Sequence, residues 1–391
     1  LGGSYIGKAP FSSDDQSKPT VFFGRMHEQA LTAEAVFPTA TMHPEIPTVV
    51  TGLAMSPSGD TLYAGGAFEA AFPLVDASDV EGYGQGFVAA LDPMTLARRW
   101  GHGLVTPASN GDTPQSYVSG VATGAGDGSG VAIAGQLYGG KLTVGSKSVH
   151  ASLWTAFAET FDGATGAART VIALDTLSDP TEEWRIGADG ARLCASGLGS
   201  TYFASLLASD ASSEQRIPLP SGEQPVPGDV VAIPGSNDWL IGASLWIPGN
   251  HHELALVRLG ADRSYSVVWH GKVPSRLQAF SRIRFEPDGR LLGLGFFKGD
   301  LDFGGLVGPI AATSTDVGDL FLAEFAPDLK TVNWALDLGE ASDVLYGGIG
   351  VTADGAYAYV VVPFSHELSL EGKKIPALRH SDSALLKLRL K

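Results

Sequence analysis

Four short stretches of the sequence gather groups able to do chemistry. His251-His252-Glu253 sets two imidazoles beside a carboxylate, donor types that hold a transition metal. Neighbouring residues on a strand point to opposite faces, so His251 and His252 do not easily share one ion, and a polar turn is the simpler reading. Asp300 and Asp302, in Gly299-Asp300-Leu301-Asp302, stand two apart and share one strand face. Such a carboxylate pair suits calcium, although calcium takes roughly six to eight oxygens. No cofactor is expected beyond calcium at this pair. Glu182-Glu183-Trp184-Arg185 sets two acids side by side, as general acid–base chemistry requires. Solvated loop charges explain them as simply. Asp127-Gly128-Ser129 is a hairpin turn and needs no ion.

No nucleophile elbow of the Gly-x-Ser-x-Gly kind, no His-Glu-x-x-His pair and no phosphate loop is present. The net charge of −16 is spread along the chain. It repels a phosphate backbone and an anionic bilayer, which argues against nucleic acid and membrane partners. No apolar run approaches the ~20 residues that span a bilayer. The single cysteine, Cys194, excludes an intrachain disulfide and a Cys-x-x-Cys site. It lies in an apolar run and reads as a small core residue. The sequence starts at Leu1 rather than Met, which fits a cleaved signal peptide or a trimmed chain, and export is the expectation.

What must position these groups is a repeat. It is plainest over residues 282–339, where strand, turn, strand, long loop, strand, turn and strand follow one another. Six such units occupy about 48–105, 116–174, 182–220, 229–273, 280–339 and 345–391. Two columns recur. The first turn reads Ser58-Gly59, Asp127-Gly128, Asp189-Gly190, Ser236-Asn237, Asp288-Gly289 and Asp354-Gly355, suited to two-residue hairpins. The second strand carries a central glycine at Gly65, Gly135, Gly197, Gly242 and Gly295, a sign of close backbone approach. Tryptophans at fourth-strand positions, Trp100, Trp269 and Trp334, read as blade packing; of Trp154, Trp184, Trp239 and Trp246, one is a candidate for exposure.

With 50 glycines and no helical periodicity, the pattern predicts an all-β single β-propeller of six four-stranded blades. The last unit is one strand short. An N-terminal strand is expected to close that blade, residues 20–26 first and 29–37 second. Residues 1–47 are therefore assigned to an N-terminal segment with this ring-closing strand, and 48–391 to the propeller. A seven-bladed ring, with a degenerate blade from the N-terminal segment, is the alternative.

The fifth unit, with Gly295-Phe296-Phe297, Leu301-Asp302-Phe303-Gly304-Gly305, Asp319-Leu320-Phe321-Leu322-Ala323-Glu324-Phe325 and Trp334, resembles the SBBP-type propeller repeats of bacterial surface and secreted proteins. Units one, two and six share parts of it, in Gly86-Phe87-Val88-Ala89-Ala90-Leu91-Asp92, Leu142-Thr143-Val144-Gly145 and Leu368-Ser369-Leu370-Glu371-Gly372. Units three and four do not. The resemblance implies a propeller in an extracellular, cell-surface or periplasmic setting, and no catalytic residues.

The insertions at 69–85, 138–153, 298–318 and 365–383 all fall between second and third strands, on one face. Long loops on a rigid scaffold carry binding. The candidate binding residues on that face are Asp76, Asp79, Tyr83, Lys147, His150, Asp300, Asp302, Asp316, His366, Lys373 and His380. Units three and four are short there, leaving a gap in which a partner could sit. The plainer reading makes the insertions hairpins held by their own apolar pairs, Leu142 with Val149 and Leu368 with Ile375. The inner strands, such as 51–55 and 348–351, read as small and apolar, which favours binding over catalysis. The expectation is a non-enzymatic exported propeller that binds a protein or surface polymer through its loop face, as part of a surface assembly. The alternative is a propeller hydrolase or lyase with its site at the channel mouth.

Overall fold

The computed structural model describes residues 2–8, 15–27, 30–38, 49–68, 72–75, 84–104, 114–125, 129–177, 184–190, 192–197, 202–208, 214–218, 224–247, 251–271, 278–305, 307–312, 318–341, 347–370, 373–377 and 382–390. Over them the chain is all-β, and its strands build the six blades of a β-propeller. It divides into two compact units, Leu1–Ile217 and Pro218–Lys391.

In the first unit, β1 (Gly2–Lys8), β2 (Asp15–His27) and β3 (Ala30–Pro38) form an antiparallel sheet with β2 in the middle. Residues 20–26, expected in the last blade, lie in β2. Thr20, Val21, Phe22 and Phe23 pair with β1 on one side and β3 on the other, so their ladder groups are used within this sheet. Phe23 is buried against Ala64, Phe68 and Phe87 of the first blade.

That blade runs β4 (Val49–Met55), β5 (Leu62–Phe68), β6 (Gln85–Leu91) and β7 (Arg98–Leu104). The second has β8 (Gln115–Ala125) and β9 (Gly130–Tyr138), then a hairpin of β10 (Lys141–Val144) and β11 (Lys147–His150), then β12 (Thr155–Phe161) and β13 (Ala168–Thr176). The third is compact, with β14 (Trp184–Ala188), β15 (Arg192–Gly197), β16 (Tyr202–Ala208) and β17 (Glu214–Pro218). Each is antiparallel in chain order.

Why these strands stack is visible on β12. Phe157 and Phe161 point to Tyr63, Val88 and Trp100 of the first blade. Ala156 and Ala158 point the other way, to Trp184, Ile186 and Leu193 of the third. Alternation of large and small apolar residues buries both faces of the sheet.

In the second unit the fourth blade runs β18 (Gln224–Ala232), β19 (Trp239–Ile247), β20 (His251–Leu259) and β21 (Tyr265–His270). The fifth has β22 (Gln278–Phe285) and β23 (Leu291–Phe297), a hairpin of β24 (Asp300–Asp302) and β25 (Pro309–Ala311), then β26 (Asp319–Phe325) and β27 (Val332–Ala341). The sixth holds β28 (Gly348–Val351), β29 (Tyr357–Leu370), β30 (Lys373–Pro376) and β31 (Asp382–Arg389). The first half of β29 lies between β28 and β31. Its tail forms a hairpin with β30 and touches β27 at Phe364 and Leu368.

The first turns vary in length: Asp189 N bonds Arg192 O across two residues in the third blade, Glu286 N bonds Arg290 O across three in the fifth, and the first, fourth and sixth blades span four. Ser56 N bonds Thr61 O at 2.8 Å, and Gly59 N bonds Ser56 O at 2.9 Å, with Gly59 at φ +75°. In the first blade a tight turn ending on a left-handed glycine spaces the strands by four residues. In the fourth blade that glycine is Gly235, φ +70°, not the expected Ser236-Asn237 pair.

First strands carry a recurrent bulge, at Thr51, Ser119, Gly228 and Ser281. The bulged hydroxyls reach the next blade within the first unit. Thr51 Oγ1 donates to Val118 O, and Ser119 Oγ donates to Trp184 O at 2.5 Å. At Gly228 a Cβ would lie 1.6 Å from Phe280 O, so only glycine fits.

Candidate functional site

The insertions of the second, fifth and sixth blades are hairpins pinned by buried leucines. Leu142 pairs with Val149 across β10–β11, and Leu368 pairs with Ile375 across β29–β30, in the register expected from the sequence. Leu301 pairs with Ile310 across β24–β25 and is buried among Trp269, Phe303 and Phe321. Leu142 and Leu368 are buried as well, whereas Ile375 is 43% exposed. In the first blade Phe72 and Leu74 are buried in the core with Phe68 and Phe87.

Polar residues are thereby held out on short, rigid ribbons. Lys147 and His150 are exposed on β11, Asp300 is exposed on β24, and Lys373 and Lys374 are exposed on β30. Asp302 is half-buried, and its Oδ1 accepts from Gly304 N at 2.7 Å, closing its own turn. His366 lies in the tail of β29. Asp76, Asp79, Tyr83, Asp316 and His380 lie outside the described residues, as do Asp127, Glu182 and Glu183.

Of the chemically suggestive clusters, His251 and His252 are successive residues of β20. His252 Nδ1 lies 3.0 Å from Ser244 Oγ, and Glu253 Oε2 lies 3.3 Å from His270 Nδ1. Burial lowers the His252 pKa. Among the described residues, no three His, Cys, Asp or Glu side chains converge as a metal would need. Cys194 is buried, and burial pushes its thiol pKa up. Trp100 and Trp269 are blade-packing residues: Trp100 Nε1 donates to Gly163 O at 2.9 Å, and Trp269 packs on Phe325. The exposed tryptophan is Trp246, at 40%.

The first strands are less uniformly apolar than expected. Arg185 is buried on β14 and donates through Nη1 to Ser119 O. Asp229, buried on β18, accepts from Ile283 N at 2.9 Å. Arg282 and Arg284 lie half-buried on β22. Asp229 and Arg282 each follow a bulge, which frees them from strict ladder packing.

Ionisable groups with raised pKa sit elsewhere. Glu159 on β12 is 4% exposed, and burial alone raises its pKa to about 8. Glu286, just after β22, is raised by burial and by the adjacent Glu324 carboxylate. Arg290 ties that group together, 2.7 Å from Glu286, 2.8 Å from Asp288 and 2.9 Å from Glu324. Asp337 on β27 is raised by burial.

One assembly went unread in the sequence. Tyr117 of β8, Tyr138 of β9 and Trp154, just before β12, meet at the hairpin end of the second blade. The Trp154 ring centroid is 5.8 Å from Tyr117 and 5.2 Å from Tyr138. All three side chains are half-buried, beside Leu153 at 59% exposure.

No protein-family description matches the sequence, and no curated protein matches it. Solved structures do. The periplasmic gluconolactonase of Pseudomonas aeruginosa is similar at 12% identity and TM-score 0.48, over 98% of this chain and 99% of that one. An oligogalacturonate lyase in complex with manganese is similar at 11% identity and TM-score 0.48, over 91% and 81%. Kuenenia stuttgartiensis hydrazine synthase is similar at 14% identity and TM-score 0.45, over 84% and 78%. Similarity at this level carries no argument about activity.

Proposed function

We propose that this chain is a non-enzymatic, exported or cell-surface propeller that binds a protein or a surface polymer through its hairpin face. The observation that carries the reading is the set of leucine-pinned hairpins. A side chain on a pinned ribbon is pre-organised, so binding costs less ordering entropy than on a loose loop. Lys147, His150, Asp300, Lys373 and Lys374 stand on such ribbons. The likeness to SBBP-type repeats supports a surface setting.

The test is retention of native material from the source cell envelope on immobilised protein. Paired charge reversals, Lys147→Glu with His150→Glu and Lys373→Glu with Lys374→Glu, are compared with Asp354→Ala at a first turn of the sixth blade. Retention should fall about tenfold for a hairpin pair, as for hot-spot loss, and stay unchanged for Asp354→Ala. Equal retention by all variants would overturn the reading.

A further inference from the structure

The second and third blades belong to one unit and pack through Ala132, Ala156, Trp184 and Leu193. They differ in height. The second carries the β10–β11 hairpin between its middle strands, while only residues 198–201 separate β15 from β16 in the third. Trp154 packs at the edge of this shared core. Register brings its partners to it. Tyr117 pairs with Gln136 and Gln115 with Tyr138, while Ala156, two residues past Trp154, pairs with Gln136. Tyr117, Tyr138 and Trp154 therefore lie on the face that looks over the low third blade.

The rings tilt by 34° and 35° to Trp154 and stay half-buried, so each keeps surface in water. That is unlike the core trio of Trp269, Phe280 and Phe325, which is fully packed. Among the described residues, the Trp154 indole N–H meets no acceptor. One polar group beside the rings is an amide: Tyr117 Oη donates to Gln115 Oε1 at 3.4 Å. Aromatic faces with an open N–H and a neutral amide match a flat, uncharged, hydroxyl-rich ligand. A ring quadrupole also attracts cations. An upright cage suits a cation, whereas these shallow tilts leave an open ledge.

We infer that Tyr117, Tyr138 and Trp154 form a carbohydrate-stacking subsite for a neutral polysaccharide. The apolar C–H face of a pyranose would cover Trp154 and Tyr138, with ring hydroxyls reaching the indole N–H and Gln115. This rests on the hairpin-face reading above and names the polymer's chemistry.

The probes are neutral hexasaccharides of glucose, mannose, galactose and N-acetylglucosamine, titrated into the full chain and followed by tryptophan fluorescence and calorimetry. At least one should bind below about 10 mM. Trp154→Ala and Tyr138→Ala should each weaken it about tenfold, and Trp154→Phe should keep most of it. Melting curves confirm that the variants fold; if Trp154→Ala does not, Tyr138→Ala decides. Failure of every sugar, undiminished binding in Tyr138→Ala, or selective binding of tetramethylammonium overturns the assignment. If the sugars fail while hairpin reversals still reduce envelope retention, only the ledge is lost. If both fail, the hairpin-face reading falls with it.

Discussion

At the scale of single residues, Glu159 is the most consequential oddity. It faces Ile133 and Val171 across its two ladders, between Phe157 and Phe161 on its own strand. Its Oε2 makes no hydrogen bond. Burial moves its pKa from 4.5 to about 8, so the folded chain holds a proton that the unfolded chain releases. The sign follows. Stability from this group is greatest below pH 4.5, falls as pH rises toward 8, and is level above that. The slope is at most about 1.4 kcal/mol per pH unit, and the total at pH 7 at most ~3 kcal/mol. Glu159→Gln should make stability fall less steeply between pH 4.5 and 8 and raise the urea midpoint at pH 7 relative to the parent. Parallel midpoint-versus-pH curves for the two proteins would show that the carboxyl stays ionised. Nothing in the sequence distinguishes Glu159 from an exposed strand glutamate, because its burial depends on which blade covers that face.

At the scale of elements, turn brackets made the strands legible. Residues 62–68, 291–297 and 319–325 are β5, β23 and β26 without a shift, because Gly, Asp and Pro pairs bound each run. The apolar pairs of the hairpins were legible for the same reason, since alternation fixes which residues face inward. The turn length was not, because a left-handed glycine closes three- and four-residue loops as well as two-residue ones. Nor was the aromatic ledge, whose members meet only through the β8–β9–β12 register. The central glycines of second strands test the packing directly. A Cβ on Gly65 would stand 2.7 Å from both Val118 and Val121 of the next blade. Gly65→Ala should cost about 1–3 kcal/mol, the usual penalty of overpacking, read as a lower melting temperature. A neutral result would mean that β8 can back away, and that the inter-blade contact is looser than its distances imply.

At the scale of the whole molecule, charge separates the two modes of binding. The chain carries 26 basic and 42 acidic residues, giving −16, so long-range fields repel anions and draw in basic partners. Hairpin contacts made by Lys147, Lys373 or Asp300 are exposed ion pairs in prospect. Salt screens such pairs over a Debye length of about 8–10 Å near physiological strength. A neutral glycan on Tyr117, Tyr138 and Trp154 presents no charge for salt to screen. Between ~50 and ~500 mM salt, sugar affinity at the ledge should change less than about twofold, while a charge-steered protein partner should weaken about tenfold, mostly through its association rate. Binding kinetics at the two salt concentrations measure both. Retention that collapses with salt in the parent, and equally in Trp154→Ala, would assign the partner to the hairpin charges. Retention that survives salt but not Trp154→Ala would assign it to stacking, because only a contact built on apolar faces is indifferent to the ions around it.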